Sequence, residues 1–263
     1  MRKIVSSKTQ KIHQFETIWI SDIHLGSKGA KALELLNFLS ITNSNKLYLV
    51  GDIIDCWRLR KRWYWPQEHN DVMAKILEKS RAGTEVIYIP GNHDDLIRQF
   101  VEHKFGEIHI KMDDVHITKN GKKIWVMHGD LFDSIIQHFR WLAFIGDGLY
   151  TILLGFNGIL NAVRRLFRLE YWSLSKFLKQ KVKQAVSFLS AFETGLMNET
   201  RKRECDGVVC GHIHKAEIKI IDGLIYANDG DWVESKTALI EDKDGYISLI
   251  SYDDLTIGNL PSK

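Results

Sequence analysis

Five short stretches of the sequence carry side chains that bind divalent metals: Asp22-Ile23-His24, Asp52, Asn92-His93, His128 and His212-Ile213-His214. A hard carboxylate and an imidazole two residues apart, as in Asp22 and His24, can turn toward one point and make half of a metal site. The whole set of carboxylates, imidazoles and one amide suits a pair of borderline ions such as Mn²⁺, Fe²⁺ or Zn²⁺. It suits Ca²⁺ less, because that ion prefers an all-oxygen shell. Two metals side by side clamp a phosphoryl group and lower the pKa of a bound water, so the chemistry indicated is phosphoryl hydrolysis. Taken singly the residues have plainer readings. Asp22 or Asp52 alone would cap a helix, Gly91-Asn92 alone would be a turn, and a lone His128 would be a core imidazole. Their joint occurrence argues for a binuclear centre.

Each block stands where an apolar, strand-like run stops. Thr17–Ser21 leads into Asp22, Lys46–Val50 into Gly51-Asp52, and Glu85–Ile89 into Pro90-Gly91-Asn92-His93. Lys123–Met127 leads into His128-Gly129, and Gly207–Cys210 into Gly211-His212. Helical spacing marks Lys31–Ser40 and Gln67–Arg81, and a short helix is expected over Asp95–Lys104 with Asp94 and Asp95 as its caps. Asn120-Gly121 between Val115–Thr118 and Lys123–Met127 is a hairpin signal. Further strands are expected at Ala216–Ile221, Leu224–Asn228, Thr237–Glu241 and Tyr246–Ser251. Residues 1–16 read as a loose arm. Composition changes at Leu131, and from Ser134 to Arg203 only helical patterns appear; Leu174, Phe177, Leu178, Val182, Ala185, Val186 and Leu189 share one face. The expected organisation is an α/β core over 1–133 and 204–263, with a helical insertion over 134–203.

At 263 residues, with 44% hydrophobic and 26% charged, the chain has an ordinary globular composition. A net charge of +3 is too mild for a surface that binds nucleic acid as a whole. Cys56, Cys205 and Cys210 make no disulfide framework and read as buried thiols in a reducing, cytoplasmic setting. The basic N-terminus lacks the apolar segment of a secretory signal. No apolar run is long enough to span a bilayer; the nearest, Trp141–Val163, is broken by Asp147, Asn157, Asn161 and glycines. His13, His69, His103, His109, His116 and His138 belong to no block and read as surface or structural.

In order along the chain stand Asp22-Ile23-His24 (D-x-H), Gly51-Asp52-Ile53-Ile54-Asp55 (G-D-x-x-D), Gly91-Asn92-His93-Asp94 (G-N-H-D), His128-Gly129, and Gly211-His212-Ile213-His214 (G-H-x-H). This set resembles the calcineurin-like metallophosphoesterases, over most of the chain outside the insertion. The resemblance implies an α/β fold, a β-sandwich flanked by helices (α/β/β/α), with a helical cap insertion. It implies a metal-dependent phosphohydrolase with two divalent ions, Mn²⁺ foremost. Asp22, His24 and His214 would hold one ion, Asn92, His128 and His212 the other, and Asp52 would bridge them. His93, oriented by Asp55, would face the substrate phosphate. Attack by a metal-activated hydroxide needs no protein nucleophile.

Within that family the chain resembles the UDP-2,3-diacylglucosamine pyrophosphatases of lipid A biosynthesis. The likeness lies in Ser21–Gly26 (SDIHLG), the G-D-x-x-D block, the helical segment before G-H-x-H, and Asp229-Gly230-Asp231-Trp232. Such enzymes yield UMP and an acylated sugar 1-phosphate. The best-known of them carry G-N-R-D where this chain has G-N-H-D, the form of the wider family. Arg58, Arg60 and Arg62, with Trp57, follow Asp55 closely and are the candidate substrate contacts for a diphosphate or anionic headgroup. The tryptophans interleaved there also suit base stacking, although no nucleic-acid partner is expected. Trp141, Leu142, Phe144 and their neighbours offer an apolar groove for acyl chains. Arg164, Arg165 and Arg168 suit an anionic membrane, so the implied place is peripheral, on the inner face of the cytoplasmic membrane. The same apolar stripe could instead pack on the core or form a dimer interface. The competing functions are a phosphodiesterase on soluble nucleotides and a non-catalytic scaffold.

Overall fold

A computed structural model describes residues 12–135, 166–167 and 174–257 of the chain. Its centre is β1 (His13–Ile20), whose last four residues are all buried. Successive side chains on a strand point to opposite faces, and here both faces meet a core. Ile18 and Ile20 pack with Leu35, Phe38 and Leu39 of α1 (Ala32–Ile41) and with Val72 and Ile76 of α3 (Gln67–Arg81). Trp19 points the other way, into a layer with Tyr48, Ile87, Ile124, Val126 and Val209 contributed by two sheets. Two-sided burial explains why these strands read as apolar runs rather than as alternation.

The first sheet has the order β12-β11-β1-β2-β3-β5-β4 and the second the order β6-β7-β8-β10-β9. The strands of the first are β1, β2 (Thr42–Val50), β3 (Glu85–Ile89), β4 (Lys104–Phe105), β5 (Ile108–Ile110), β11 (Thr237–Glu241) and β12 (Ile247–Ser251). Those of the second are β6 (Asp114–Ile117), β7 (Lys123–Val126), β8 (Gly207–Cys210), β9 (Glu217–Ile221) and β10 (Leu224–Asn228). β1, β2, β3 and β5 run parallel, as do β7, β8 and β10.

Some expected elements are corrected, and elements that were not expected are added. His13–Phe15 are not a loose arm; they pair with Thr42–Ser44, and β2 starts at Thr42 rather than Lys46. The stretch after Asp55 is a short helix, α2 (Cys56–Lys61), capped by the Asp55 side chain through Arg58 N–H. Asp95–Phe100 is a 3-10 turn, and the chain then enters β4 and β5, which no periodicity announces. Cys205 and Cys210 are buried, whereas Cys56 is half-buried.

The chain divides into two compact units, Met1–Asp130 with Met197–Lys263, and Leu131–Leu196. The first contains both sheets and all five ligand blocks. In the second, the rings of Phe132 and Phe192 meet edge to face at 6.3 Å. A helix runs over Leu174–Lys202 and spans the boundary. The apolar run Trp141–Val163 and Arg164, Arg165 and Arg168 lie outside the described residues, as does His138. No described helix is long and apolar enough to cross a membrane.

Candidate metal centre

β1, β2 and β3 are neighbours in the first sheet, and β7 and β8 in the second. Each group is parallel, so the loops that follow these strands open at the carboxyl edge, where α/β sheets build sites. The loops after β1 and β2 are zipped together. Asp22 N–H donates to Gly51 O at 3.0 Å, His24 N–H to Asp52 O at 2.9 Å, and Leu25 N–H to Ile53 O at 2.9 Å. Asp22, His24, Asp52, His212 and His214 have left-handed backbones, with φ of 50°, 54°, 54°, 70° and 55°. Non-glycine residues adopt that region rarely and at a cost, so the surrounding hydrogen bonds must hold them there. Gly91 leaves room for the ligands. A Cβ at that position would stand 2.3 Å from Asp52 Oδ1 and 2.6 Å from His128 Nε2.

Three triads of ligand-type atoms converge, each within 4.8 Å: Asp22, His24 and His214; Asp52, His128 and His212; His24, Asp52 and His93. Asp52 lies between the first two. Its Oδ1 is 3.4 Å from His128 Nε2 and its Oδ2 is 3.8 Å from His24 Nε2. Asp22 Oδ1, Asp52 Oδ2, Asn92 Oδ1, His128 Nε2 and His214 Nε2 are buried without a hydrogen-bond partner. His214 Nε2 and Asp22 Oδ1 approach to 2.9 Å, but not in hydrogen-bonding geometry. Buried polar atoms are nearly always paired. Lone pairs of metal-binding type left open together are what a divalent pair requires, so the residues fit the ions. The far side of His128 is tied down, its Nδ1–H donating to Val50 O at 2.7 Å, which leaves Nε2 for the centre.

The electrostatics agree. Burial would raise the Asp22 carboxyl, but His214 and His24 outweigh it and hold Asp22 well below the usual range. Asp52 is lowered too, by His128 and His24 against its burial. Burial would lower the two imidazoles, yet the carboxylates lift His24 to about 9 and His128 to about 10. The cluster draws positive charge inward, and a cation that binds here must displace protons.

Asp55 connects the centre to its rim. Its oxygens lie 3.0 Å from His93 Nδ1, 3.6 Å from His24 Nδ1 and 3.3 Å from Arg58 Nε. Burial opposes its ionisation, but His24 and His93 prevail and lower it. With Nδ1 on Asp55, His93 has Nε2 at 4.0 Å from Asp52 Oδ2. The Trp57 ring lies 4.2 Å from the His93 ring. Trp57 and Arg58 thus reach the centre through His93 and Asp55. Arg60 and Arg62 are exposed, and among the described residues their side chains make no hydrogen bond or ion pair with the ligand blocks.

The family model described as calcineurin-like phosphoesterase matches residues 16–216, which include all five blocks. The chain belongs to the calcineurin-like phosphoesterase family. A UDP-2,3-diacylglucosamine hydrolase of Wigglesworthia glossinidia brevipalpis is 26% identical over 256 residues, 91% of this chain and 95% of that one. The protein of the same name from Porphyromonas gingivalis is 27% identical over 121 residues, 42% of this chain. The chain spans about half the length of the first curated relatives it matches, 44% of that protein and 51% of the Blochmanniella pennsylvanica one. Among solved structures, Vps29 of Chaetomium thermophilum is 10% identical with a TM-score of 0.42, covering 90% of this chain and 93% of that one.

This phosphoesterase also depends on residues that the ligand blocks do not announce. Asp94 is not a side-chain cap of the turn that follows it. Its carboxylate is buried and accepts from Gly91 N–H at 2.6 Å, Ile53 N–H at 2.8 Å, Asp52 N–H at 3.3 Å and Tyr88 O–H at 2.5 Å. It staples the Asp52 loop to the Asn92 loop. An Asp just before a short helix reads as a cap by default, and the fourth position of the G-N-H-D block is the signal that points elsewhere. His69 is buried, and its Nδ1 accepts Gly26 N–H at 3.1 Å, supporting the loop after His24. Burial lowers its pKa, in keeping with a neutral acceptor.

Proposed function

We propose that this phosphoesterase hydrolyses the pyrophosphate of a UDP-linked, acylated sugar of the UDP-2,3-diacylglucosamine class, releasing UMP and the acylated sugar 1-phosphate. The reaction rests on the buried open lone pairs of Asp22, Asp52, Asn92, His128 and His214. The substrate class rests on the so-named relative that pairs with 91% of the chain. When bound, two divalent ions, Mn²⁺ foremost, supply Lewis acidity and lower the pKa of a water. Asp22, His24 and His214 would hold one, Asn92, His128 and His212 the other, with Asp52 available to both. His93, tethered through Nδ1 to Asp55, offers a proton at Nε2 to the phosphoryl oxygens or the leaving oxygen. Arg58, Arg60 and Arg62 take the diphosphate, and Trp57 flanks it beside His93. The apolar residues in the sequence of the insertion over 134–203 suit acyl chains, and its arginines suit the anionic inner face of the cytoplasmic membrane.

Protein loaded with Mn²⁺ is expected to release UMP from UDP-2,3-diacylglucosamine in detergent. Deacylated UDP-glucosamine should react roughly tenfold more slowly or worse, because remote binding energy drives the step. Equal rates on both would favour a phosphodiesterase of soluble nucleotides. Metal uptake without turnover of either would favour a binding module.

A further inference from the structure

Behind the Asp22 half of the centre lies a second buried acid. Asp229, in the loop after β10, is fully buried. Ser21 stands between the two carboxyl groups. Its Oγ is 2.6 Å from Asp22 Oδ2, 2.6 Å from Asp229 Oδ1 and 3.3 Å from Gly230 O. Two oxygen pairs at that separation need a proton in each gap. The Ser21 hydroxyl brings one, and Asp22, as a metal ligand, is ionised and brings none. The remaining source is Asp229. An ionised Asp229 would also leave its Oδ2 as a buried charged oxygen without a partner, which is costly. The order that places one proton in each of the two 2.6 Å gaps runs from Asp229 O–H to Ser21 Oγ, and from Ser21 O–H to Asp22 Oδ2.

This relay fixes which Asp22 oxygen faces the centre. Oδ2 accepts from Ser21 and from His212 N–H at 2.8 Å. Oδ1 remains, 2.9 Å from His214 Nε2 and 3.8 Å from His24 Nε2. The same loop grips the Asp22 backbone, with Trp232 N–H donating to Asp22 O at 3.1 Å. The space around the relay is full: a Cβ on Gly211 would stand 2.3 Å from Ser21 Oγ and 2.6 Å from Asp22 Oδ2. We infer that Ser21 and Asp229 are positioning residues of the centre, a hydroxyl–acid relay that occupies Asp22 Oδ2 and leaves Oδ1 free to face the centre. The inference rests on the reading of Asp22 as a metal ligand.

The test is Mn²⁺ titration calorimetry on metal-free full-length protein, with thermal melting of each apo form. If the unaltered protein takes up no Mn²⁺, the metal reading fails and this inference falls with it. If it binds, S21A is expected to bind about 10–100-fold more weakly, the usual cost of losing a partner that orients a ligand. D229A should fall equally. D229N can donate its amide N–H in place of the acid proton and should stay within about threefold of the unaltered protein. A merely structural pair would lower apo melting without this ranking of affinities. S21A binding Mn²⁺ at full strength would overturn the inference, and so would D229N binding as weakly as D229A. If S21A folds poorly, the D229N and D229A pair decides alone.

Discussion

Two clusters of buried ionisable groups lie along β1, and they are built differently. In the first, Glu241 Oε2 accepts Thr17 O–H at 2.7 Å and pairs with His116 Nε2 at 2.8 Å, while Oε1 accepts Lys119 N–H at 2.7 Å. Both carboxylate oxygens are served by the protein, and none of Thr17, His116, Lys119 and Glu241 has a left-handed backbone. In the second, ligand atoms of Asp22, Asp52 and His214 stand unpaired on left-handed residues, with those of Asn92 and His128 unpaired beside them. Burial and charge are common to both clusters, so neither marks function by itself. The closed cluster leaves only the far ring atom of its imidazole, His116 Nδ1, without a partner; the difference lies in carboxylate oxygens left unmet on strained backbone, a combination that fits a group added from outside.

The largest effect expected from that contrast is at Asp52, the carboxylate shared by both halves. Asp52→Asn should lower kcat/KM by roughly 10³-fold or more, as when a group that stabilises the transition state is lost. Metal analysis should find fewer than two Mn²⁺ per chain, with unchanged circular dichroism. Full activity in a metal-loaded D52N protein would remove the ground for setting the two clusters apart.

The open cluster is legible in sequence because each block is a short polar stop at the end of an apolar run. Gln67–Arg81 and Glu85–Ile89 also fold as their periodicity predicts. Strand residues His13–Glu16 escape notice because their backbone pairing with β2 carries no apolar alternation. β5 is three residues long and offers too little pattern. The Asp94 staple and the Ser21–Asp229 contact cannot be read locally. They join residues 42 and 208 positions apart, and only the folded loops bring those residues into reach.

Asp94 tests the border between the two kinds of cluster. Like Glu241 it is supplied with donors from the protein, yet those donors belong to the ligand loops. Asp94→Asn replaces an acceptor oxygen with a donor that faces N–H groups. Mn²⁺ affinity should fall about 10–100-fold, as for other residues that orient ligands, and the melting temperature should fall as well. A drop in melting temperature with metal affinity intact would place Asp94 with Glu241, as packing only.

The smallest effect belongs to the closed cluster, and there pH is the sharper probe. Burial would raise the Glu241 pKa, but His116, Lys119 N–H and Thr17 O–H outweigh it and bring it below the ordinary 4.5. In that window the unfolded chain binds the extra proton, so Glu241 adds stability above its unfolded pKa and loses it as pH falls through the folded value. Glu241→Gln should cost ~1–3 kcal/mol near neutral pH, the range for a disrupted buried hydrogen-bond partner. Mn²⁺ affinity and turnover should be untouched. Urea midpoints followed from about pH 7 to about pH 3 should converge for the two proteins, because glutamine has no proton to take up. A gap that stays constant over that range would mean that Glu241 is not held ionised by its neighbours, and that the closed cluster is polar packing rather than a paired charge.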